Sequence, residues 1–264
     1  MGELFKELAR AVRDNRPVAL VTAVRGPNAG AKLLINESGA LGTLGNANLD
    51  RAASTDAAAM LELGLTGTRT YGSAGEHRPE EVELFIESFA PPPRMYVFGA
   101  IDFAAAVARI GKLLGYRVTV CDPREKFATK TRFPEADEVV VRWPHEFLAE
   151  AEVDRRTVIC ALTHDPKFDV PLLKAALATS AGYIGAMGSR RTHAKRSQQL
   201  LEEGVPEKQL ARISGPIGLD IGARTPEEVA VAIAGEIISL KTGGSADRLV
   251  ETEGPVHRGQ EQPA

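Results

Sequence analysis

The segment Gly185-Ala186-Met187-Gly188-Ser189-Arg190-Arg191-Thr192 places two glycines, two hydroxyls and two guanidiniums within one short stretch. If it joins a strand to a helix, the free backbone N–H groups of the first helical turn face outward, where they attract an anion. Arg190 can add a bidentate phosphate contact, with Arg191 beside it. The plain alternative is a capped helix with solvated arginines. A second stretch, Thr163-His164-Asp165-Pro166, follows an apolar β-branched run and sets two ionisable groups at its end. Such groups can donate, accept or relay a proton to a ligand. The plain alternative is an Asx-type cap before a helix, with an exposed histidine. No His/Cys/Asp cluster with metal-ligand spacing accompanies either stretch.

A third stretch, Gly99-Ala100-Ile101-Asp102-Phe103-Ala104, occupies the place of a glycine-rich phosphate loop after a first strand. A dinucleotide fingerprint wants glycine at 99, 101 and 104. Of these glycines only Gly99 is present, and Ala104 is a tolerated third position. Ile101 stands where backbone would approach a pyrophosphate, and Asp102 sets a negative charge where the phosphate would lie. Asp122 falls about 20 residues later, where a ribose-binding acid belongs, followed by Pro123 and Arg124. It also reads as a charged surface turn. The segment 215–223 is glycine-punctuated and apolar. Packing against a sheet edge is its default reading, with partner contact second.

Elements must carry these loops to one place. From residue 94 onward the rhythm is strand, loop, helix: strands over 95–98, 117–121, 137–141, 157–162 and 182–185, and helices over 103–114, 171–178, 191–203 and 226–240. Thr225, Pro226 and Glu228 form a capping-box start for the last helix. Strands alternating with helices imply right-handed crossovers and a parallel sheet. The expected fold class is α/β: a C-terminal Rossmann-like parallel sheet flanked by helices, preceded by a smaller α+β domain. That first domain spans 1–90. Its expected elements are a helix over 3–14, a strand over 17–24, a hairpin over 31–35 and 41–44, a helix over 49–63, and strands over 68–71 and 82–89. Pro91-Pro92-Pro93 is the linker, since three prolines cannot join a helix interior or a central strand. The α/β domain covers 94–241, and 242–264 reads as a disordered tail.

Composition narrows the function classes. A net charge of −3 gives no reason to expect nucleic acid or an anionic membrane as partner. No run of about 18 apolar residues is present, and the N-terminus lacks the apolar core of a secretory signal. The only two cysteines, Cys121 and Cys160, end strands two and four, with strand one between them. They read as reduced, buried thiols of a cytoplasmic protein, too far apart for a disulfide.

Several segments together resemble one family. They are Val97-Phe98-Gly99-Ala100, Asp122-Pro123-Arg124, Phe127-Ala128-Thr129, Arg132-Phe133-Pro134, Leu162-Thr163-His164-Asp165-Pro166, 185–192 and Pro216-Ile217-Gly218-Leu219-Asp220-Ile221-Gly222-Ala223. The likeness is to the xanthine dehydrogenase accessory proteins, the XdhC/CoxI family, over about 18–240. The resemblance implies a molybdenum-cofactor chaperone without turnover of its own. Such a protein holds molybdopterin, works with a cysteine-desulfurase-type sulfurating enzyme, and delivers the cofactor to a molybdenum hydroxylase apoenzyme. Relatives are often homodimers. The expected cofactor contacts are Gly99, Ala100, Ile101, Asp122, Arg124, Thr163, His164, Asp165, Gly188, Ser189, Arg190 and Arg191. Two departures stand out. Many relatives carry G-x-G after strand one, and many carry a cysteine in the stretch matching 45–50, where this chain has none. The alternatives are an NAD(P)-dependent oxidoreductase, disfavoured by the glycine missing from the loop at 101, and a nucleotide-binding regulatory module.

Overall fold

The computed structural model describes residues 2–72, 82–163 and 165–253. The chain divides into two compact units, Met1–Pro93 and Arg94–Ala264. In the first, α1 (Glu3–Arg13) precedes β1 (Val18–Arg25), β2 (Lys32–Asn36) and β3 (Gly39–Thr43); then come α2 (Ala47–Leu63), β4 (Gly67–Tyr71) and β5 (Val82–Phe89). These strands form one antiparallel sheet in the order β3-β2-β1-β5-β4. Alternation along β1 sorts its side chains. Val18 and Leu20 face the α1 side with Ala11 and Leu34. Ala19, Val21 and Ala23 pack with Leu49, Ala53, Ala57 and Met60 of α2. Helix α2 begins two residues before the expected position because the Asn46 side chain accepts from Asn48 N and Leu49 N.

The second unit contains β6 (Arg94–Phe98), α3 (Asp102–Leu113), β7 (Arg117–Cys121), β8 (Glu138–Val140), α4 (Pro144–Glu150), β9 (Val158–Ala161) and α5 (Pro166–Leu177). It continues through β10 (Tyr183–Ala186), α6 (Arg190–Glu202), α7 (Glu207–Leu210), β11 (Ile213–Ser214) and α8 (Pro226–Thr242). All its strands run parallel, in the order β8-β7-β6-β9-β10-β11. Numbered within the unit this is 3-2-1-4-5-6, the doubly wound order.

Both faces of this sheet are covered, as a parallel sheet requires. Met95, Val97, Val118, Val120 and Cys160 pack with Ala104 and Val107 of α3 and Ile233 and Ile237 of α8. Tyr96, Phe98, Cys121, Ile159 and Ile184 pack with Leu148 of α4, Leu172 and Leu173 of α5, and Leu200 of α6. The two cysteines therefore point to opposite faces, and both are free and buried.

Three expectations shift. The helix after β9 starts at Pro166, with Asp165 as its cap, and Pro171 lies inside it. The start signal of a capping acid followed by proline occurs first at Asp165-Pro166, where proline suits the first helical position, while Pro171, at the sixth position, forfeits one i→i−4 bond. Elements α4, α7 and β11 are too short for a periodic signal. Finally, α8 includes Thr242, closed by Gly243 at φ +69°, and Leu249–Glu251 forms a further helical turn. Residues 254–264 of the expected tail lie outside the described residues.

Candidate functional site

Neighbouring strands β6 and β9 send their chains to opposite faces of the sheet, α3 to one and α5 to the other. This divergence makes the switch point at which open α/β sheets bind ligands. The loops after β6, β7, β9 and β10 all lie at the same carboxyl edge, because the sheet is parallel.

The loop after β6 is closed on itself. Gly99 adopts φ +106°, and a Cβ there would lie 3.0 Å from Thr163 N and 3.1 Å from Leu162 C. Glycine is therefore needed for both the turn and the approach to the β9 loop. The Ala100 N–H donates to Asp122 Oδ2 at 2.7 Å, and the Ile101 N–H to Gly99 O at 3.1 Å. Arg132 reaches over this loop, donating to Ala100 O and to Asp102 Oδ1, each at 3.2 Å. The charge of Asp102, read from sequence as repelling a phosphate, is thus paired. Ile101 packs against the α3/α8 core. The amides of Ala100 and Ile101, which a dinucleotide phosphate would use, already have acceptors.

Asp122 is the anchor of this arrangement. It is 1% exposed. Its Oδ1 accepts from Arg124 N and Nε, both at 2.9 Å, and its Oδ2 from Ala100 N and from Arg124 Nη2 at 2.8 Å. All four acceptor positions of the carboxylate are filled. Burial alone pushes its pKa up, but the Arg124 side chain and the two backbone amides outweigh burial and hold it below the usual carboxylate value. The position expected for a ribose ligand is therefore occupied by an internal tether. Arg124 keeps one edge outward and stacks 4.7 Å from the ring of half-exposed Phe127, with Arg132 at 5.5 Å.

At the end of β9, Asp165 caps α5 by accepting from Lys167 N at 3.1 Å, and its carboxylate lies 3.3 Å from Lys167 Nζ. His164 lies outside the described residues. Thr163 turns inward, and its hydroxyl donates to Asp169 Oδ1. Asp169 Oδ2 in turn receives Arg196 Nη2 at 2.5 Å, and Arg196 Nη2 also donates to Met187 O at 3.0 Å. Thr163, Asp169 and Arg196 are all buried. Sequence reading missed Asp169 and Arg196, and met Arg132 only within a segment of the family resemblance, with no role given to it. For Asp169 a signal existed: an acid between Phe168 and Val170 at the start of an otherwise apolar helix.

At the end of β10, Gly188 adopts φ +142°, and a Cβ there would lie 3.1 Å from Thr192 Cβ and Cγ2. Ser189 caps α6, accepting from Thr192 N at 3.1 Å. Arg190 and Arg191 open the helix. Neither has a carboxylate partner among the described residues, and both are exposed. Two unpaired cations at a helix N-terminus oppose its macrodipole, an arrangement that an anion relieves. Strands β9 and β10 are direct neighbours, so this turn and the Thr163 loop share one side of the switch point.

The first part of the segment 215–223 packs as expected, while Asp220, Ile221 and Gly222 are exposed. Ile217 N donates to Ala186 O at 3.1 Å, and Gly218 N to Glu236 Oε2 at 2.8 Å. No group of three or more potential metal ligands exists among the described residues, and no helix among them is long and apolar enough to cross a membrane.

Comparison with known proteins agrees with this architecture. Residues 95–237 match the XdhC Rossmann domain, and 11–72 match the XdhC and CoxI family. A protein of Bacillus subtilis named as a probable xanthine dehydrogenase subunit is 30% identical over 165 residues, covering 62% of this chain and 48% of that protein. The molybdenum cofactor insertion chaperone PaoD of Escherichia coli is 29% identical over 157 residues, covering 60% and 43%. The chain thus spans about half the length of these curated relatives, or slightly less. A crystal structure described as a xanthine dehydrogenase from Bacillus halodurans superposes with a TM-score of 0.53 at 20% identity, covering 91% of this chain and 96% of that one, and shows the shared fold. With the Rossmann match alone extending over more than half of its residues, the chain belongs to the XdhC family.

Proposed function

We propose that this chain is an accessory protein that holds molybdenum cofactor and supports its insertion into a molybdenum hydroxylase of the xanthine dehydrogenase type. The observation that carries this reading is the pair Arg190 and Arg191, unpaired at the start of α6 behind Gly188 and Ser189, next to the Thr163 loop. The residues fit the phosphate end of a pterin cofactor: free N–H groups of a first helical turn, two guanidiniums, and a glycine where a side chain would crowd the turn. The names of the two relatives above point the same way.

Under this reading Gly188, Ser189, Arg190 and Arg191 bind and orient the phosphate. His164 and Asp165 are the proposed contacts to the heterocycle, the Thr163 hydroxyl being turned inward to Asp169, and Arg124 closes the far side. Gly99, Ala100 and Ile101 shape the floor without donating to the ligand. When bound, the cofactor supplies redox chemistry at molybdenum to the client enzyme. Burial pushes both Cys121 and Cys160 up to about 12, which disfavours either thiol as a sulfur carrier. The family resemblance implies sulfuration by a partner of the cysteine-desulfurase type.

The strand order favours a second reading, an NAD(P)-binding protein. The closed β6 loop and the filled acceptors of Asp122 weigh against it.

The test is binding of isolated molybdopterin cofactor, with reconstitution of a molybdenum hydroxylase as readout. Arg190→Ala should weaken binding by roughly tenfold to a hundredfold, the value of one charge-assisted contact. A wild-type chain that binds no pterin would end the chaperone reading. Unchanged binding by Arg190→Ala would end the site assignment alone.

A further inference from the structure

A buried ion pair lies behind the anion-binding turn, and the fold alone does not account for it. The Arg196 side chain is 4% exposed. It rises from the second turn of α6 toward the helix start, as helical side chains do. Its guanidinium lies against the inner side of the turn: Nη2 donates to Met187 O at 3.0 Å and lies 3.7 Å from where a Gly188 Cβ would be. The same nitrogen meets Asp169 Oδ2 at 2.5 Å. The other terminal nitrogen, Nη1, is buried and has no hydrogen-bond partner among the described residues. Asp169 also takes the hydroxyl of Thr163, whose backbone N would lie 3.0 Å from a Cβ on Gly99. One chain of contacts thus runs from the β6 loop through the β9 loop to the β10 turn.

A purely structural pair is a poor explanation for this geometry. Buried ion pairs are commonly no better for stability than apolar residues of the same size. A guanidinium with an unused terminal nitrogen is a costly way to fill a core. The orientation has a use, however. The positive end of the pair lies under Met187 and Gly188, and the negative end lies under Thr163. An anion seated on Ser189, Arg190 and Arg191 feels that positive end through a low-dielectric interior, where charge is screened little.

We propose that Arg196 and Asp169 are the positioning pair of this site. Arg196 sets the Met187–Gly188 turn and reinforces it for a phosphate-bearing ligand, and Asp169 fixes Arg196 and couples the turn to Thr163. This inference rests on the anion site of the proposed function. It also specifies the ligand further: the phosphate lies at α6, beyond β9, and the uncharged portion of the ligand lies over Thr163.

The test uses the full chain and inorganic pyrophosphate as probe, titrated by calorimetry, with thermal melting measured in parallel. The double variant Asp169→Asn with Arg196→Met removes both charges and keeps an acceptor for Thr163. It should melt close to wild type and bind pyrophosphate about tenfold more weakly, the loss of roughly one charge-assisted interaction. Arg196→Lys covers the case in which the double variant does not melt cooperatively. It keeps a cation opposite Asp169 but not the planar fork, and should bind about threefold to tenfold more weakly. Either variant, folded and binding pyrophosphate as wild type does, overturns the proposal. A wild-type chain that binds no pyrophosphate removes the anion site and the role of the pair together.

Discussion

Replacing Asp122 with asparagine tests whether the closed β6 loop is held by the tether described above. The carboxylate accepts four hydrogen bonds, from Ala100 N and from three nitrogens of Arg124. Asparagine keeps one acceptor oxygen and turns an NH2 donor toward the remaining donors, so two of the four bonds are lost. If the NH2 faces Ala100, a buried N–H is left unpaired, which costs about 1–3 kcal/mol. The accompanying loss at Arg124 is smaller, about 0–1 kcal/mol, because that guanidinium is half-exposed and water replaces the bond. The expected total is about 1–4 kcal/mol. For a unit of this size that lowers Tm by roughly 2–4 °C per kcal/mol, or about 2–16 °C. Acidification supplies an internal control. Asp122 titrates below the ordinary carboxylate value, so its stabilisation is complete above the unfolded pKa of about 3.9 and disappears as pH falls through the lower folded value. The difference between wild type and Asp122→Asn should therefore close below about pH 4. Differential scanning calorimetry across pH reads both effects. Equal melting at neutral pH, or a difference that grows on acidification, would refute the tether.

Gly188→Ala should cost about 1–3 kcal/mol, since φ +142° strains any side chain and the new methyl meets Thr192. Melting should show the loss and pyrophosphate titration should show weaker binding; a variant unchanged in both would mean that the turn is not built as described. Iodoacetamide at about pH 8 should leave Cys121 and Cys160 unmodified in the native protein and label both in denaturant, because both thiols remain protonated. Rapid native labelling would contradict their burial. NADH and NADPH should bind no tighter than about 0.1 mM by calorimetry, and low-micromolar binding would favour the oxidoreductase reading.

What could be read in the sequence was local. Ser189 and Thr225 cap their helices through side chains that reach only three residues ahead, so the order of residues carries the signal. Gly99 and Gly188 were recognisable as turn residues for the same reason. Cys121 and Cys160 could be placed on separate strands once the strand rhythm was read. The roles of Asp122 and Asp169 depend on pairing across the fold. Asp122 stood where a ribose ligand belongs, and nothing near it in the chain shows that Ala100, from the neighbouring strand's loop, would fill its second oxygen. Asp169 and Arg196 meet 27 residues apart, only because α5 and α6 pack side by side on one face of the sheet. Residue type hinted that Asp169 was unusual, but its partner was set by tertiary packing.

The same distinction explains how a doubly wound sheet can keep its strand order and yet receive its ligand differently. The order depends on apolar alternation and crossover handedness, neither of which involves the loops. A phosphate site depends on a few N–H groups and their charges. In this chain the β6 loop has closed: its amides bond to Asp122 and Gly99, and Asp102 is matched by Arg132. Unpaired positive charge gathers instead at the turn after β10, two strands away, with a buried guanidinium beneath it. On the proposed reading, the anionic end of the ligand therefore lies on the opposite side of the switch point from the pyrophosphate of a dinucleotide. The glycine missing at 101 is then a consequence of the relocated phosphate, because a loop that no longer receives an anion has no need of exposed amides.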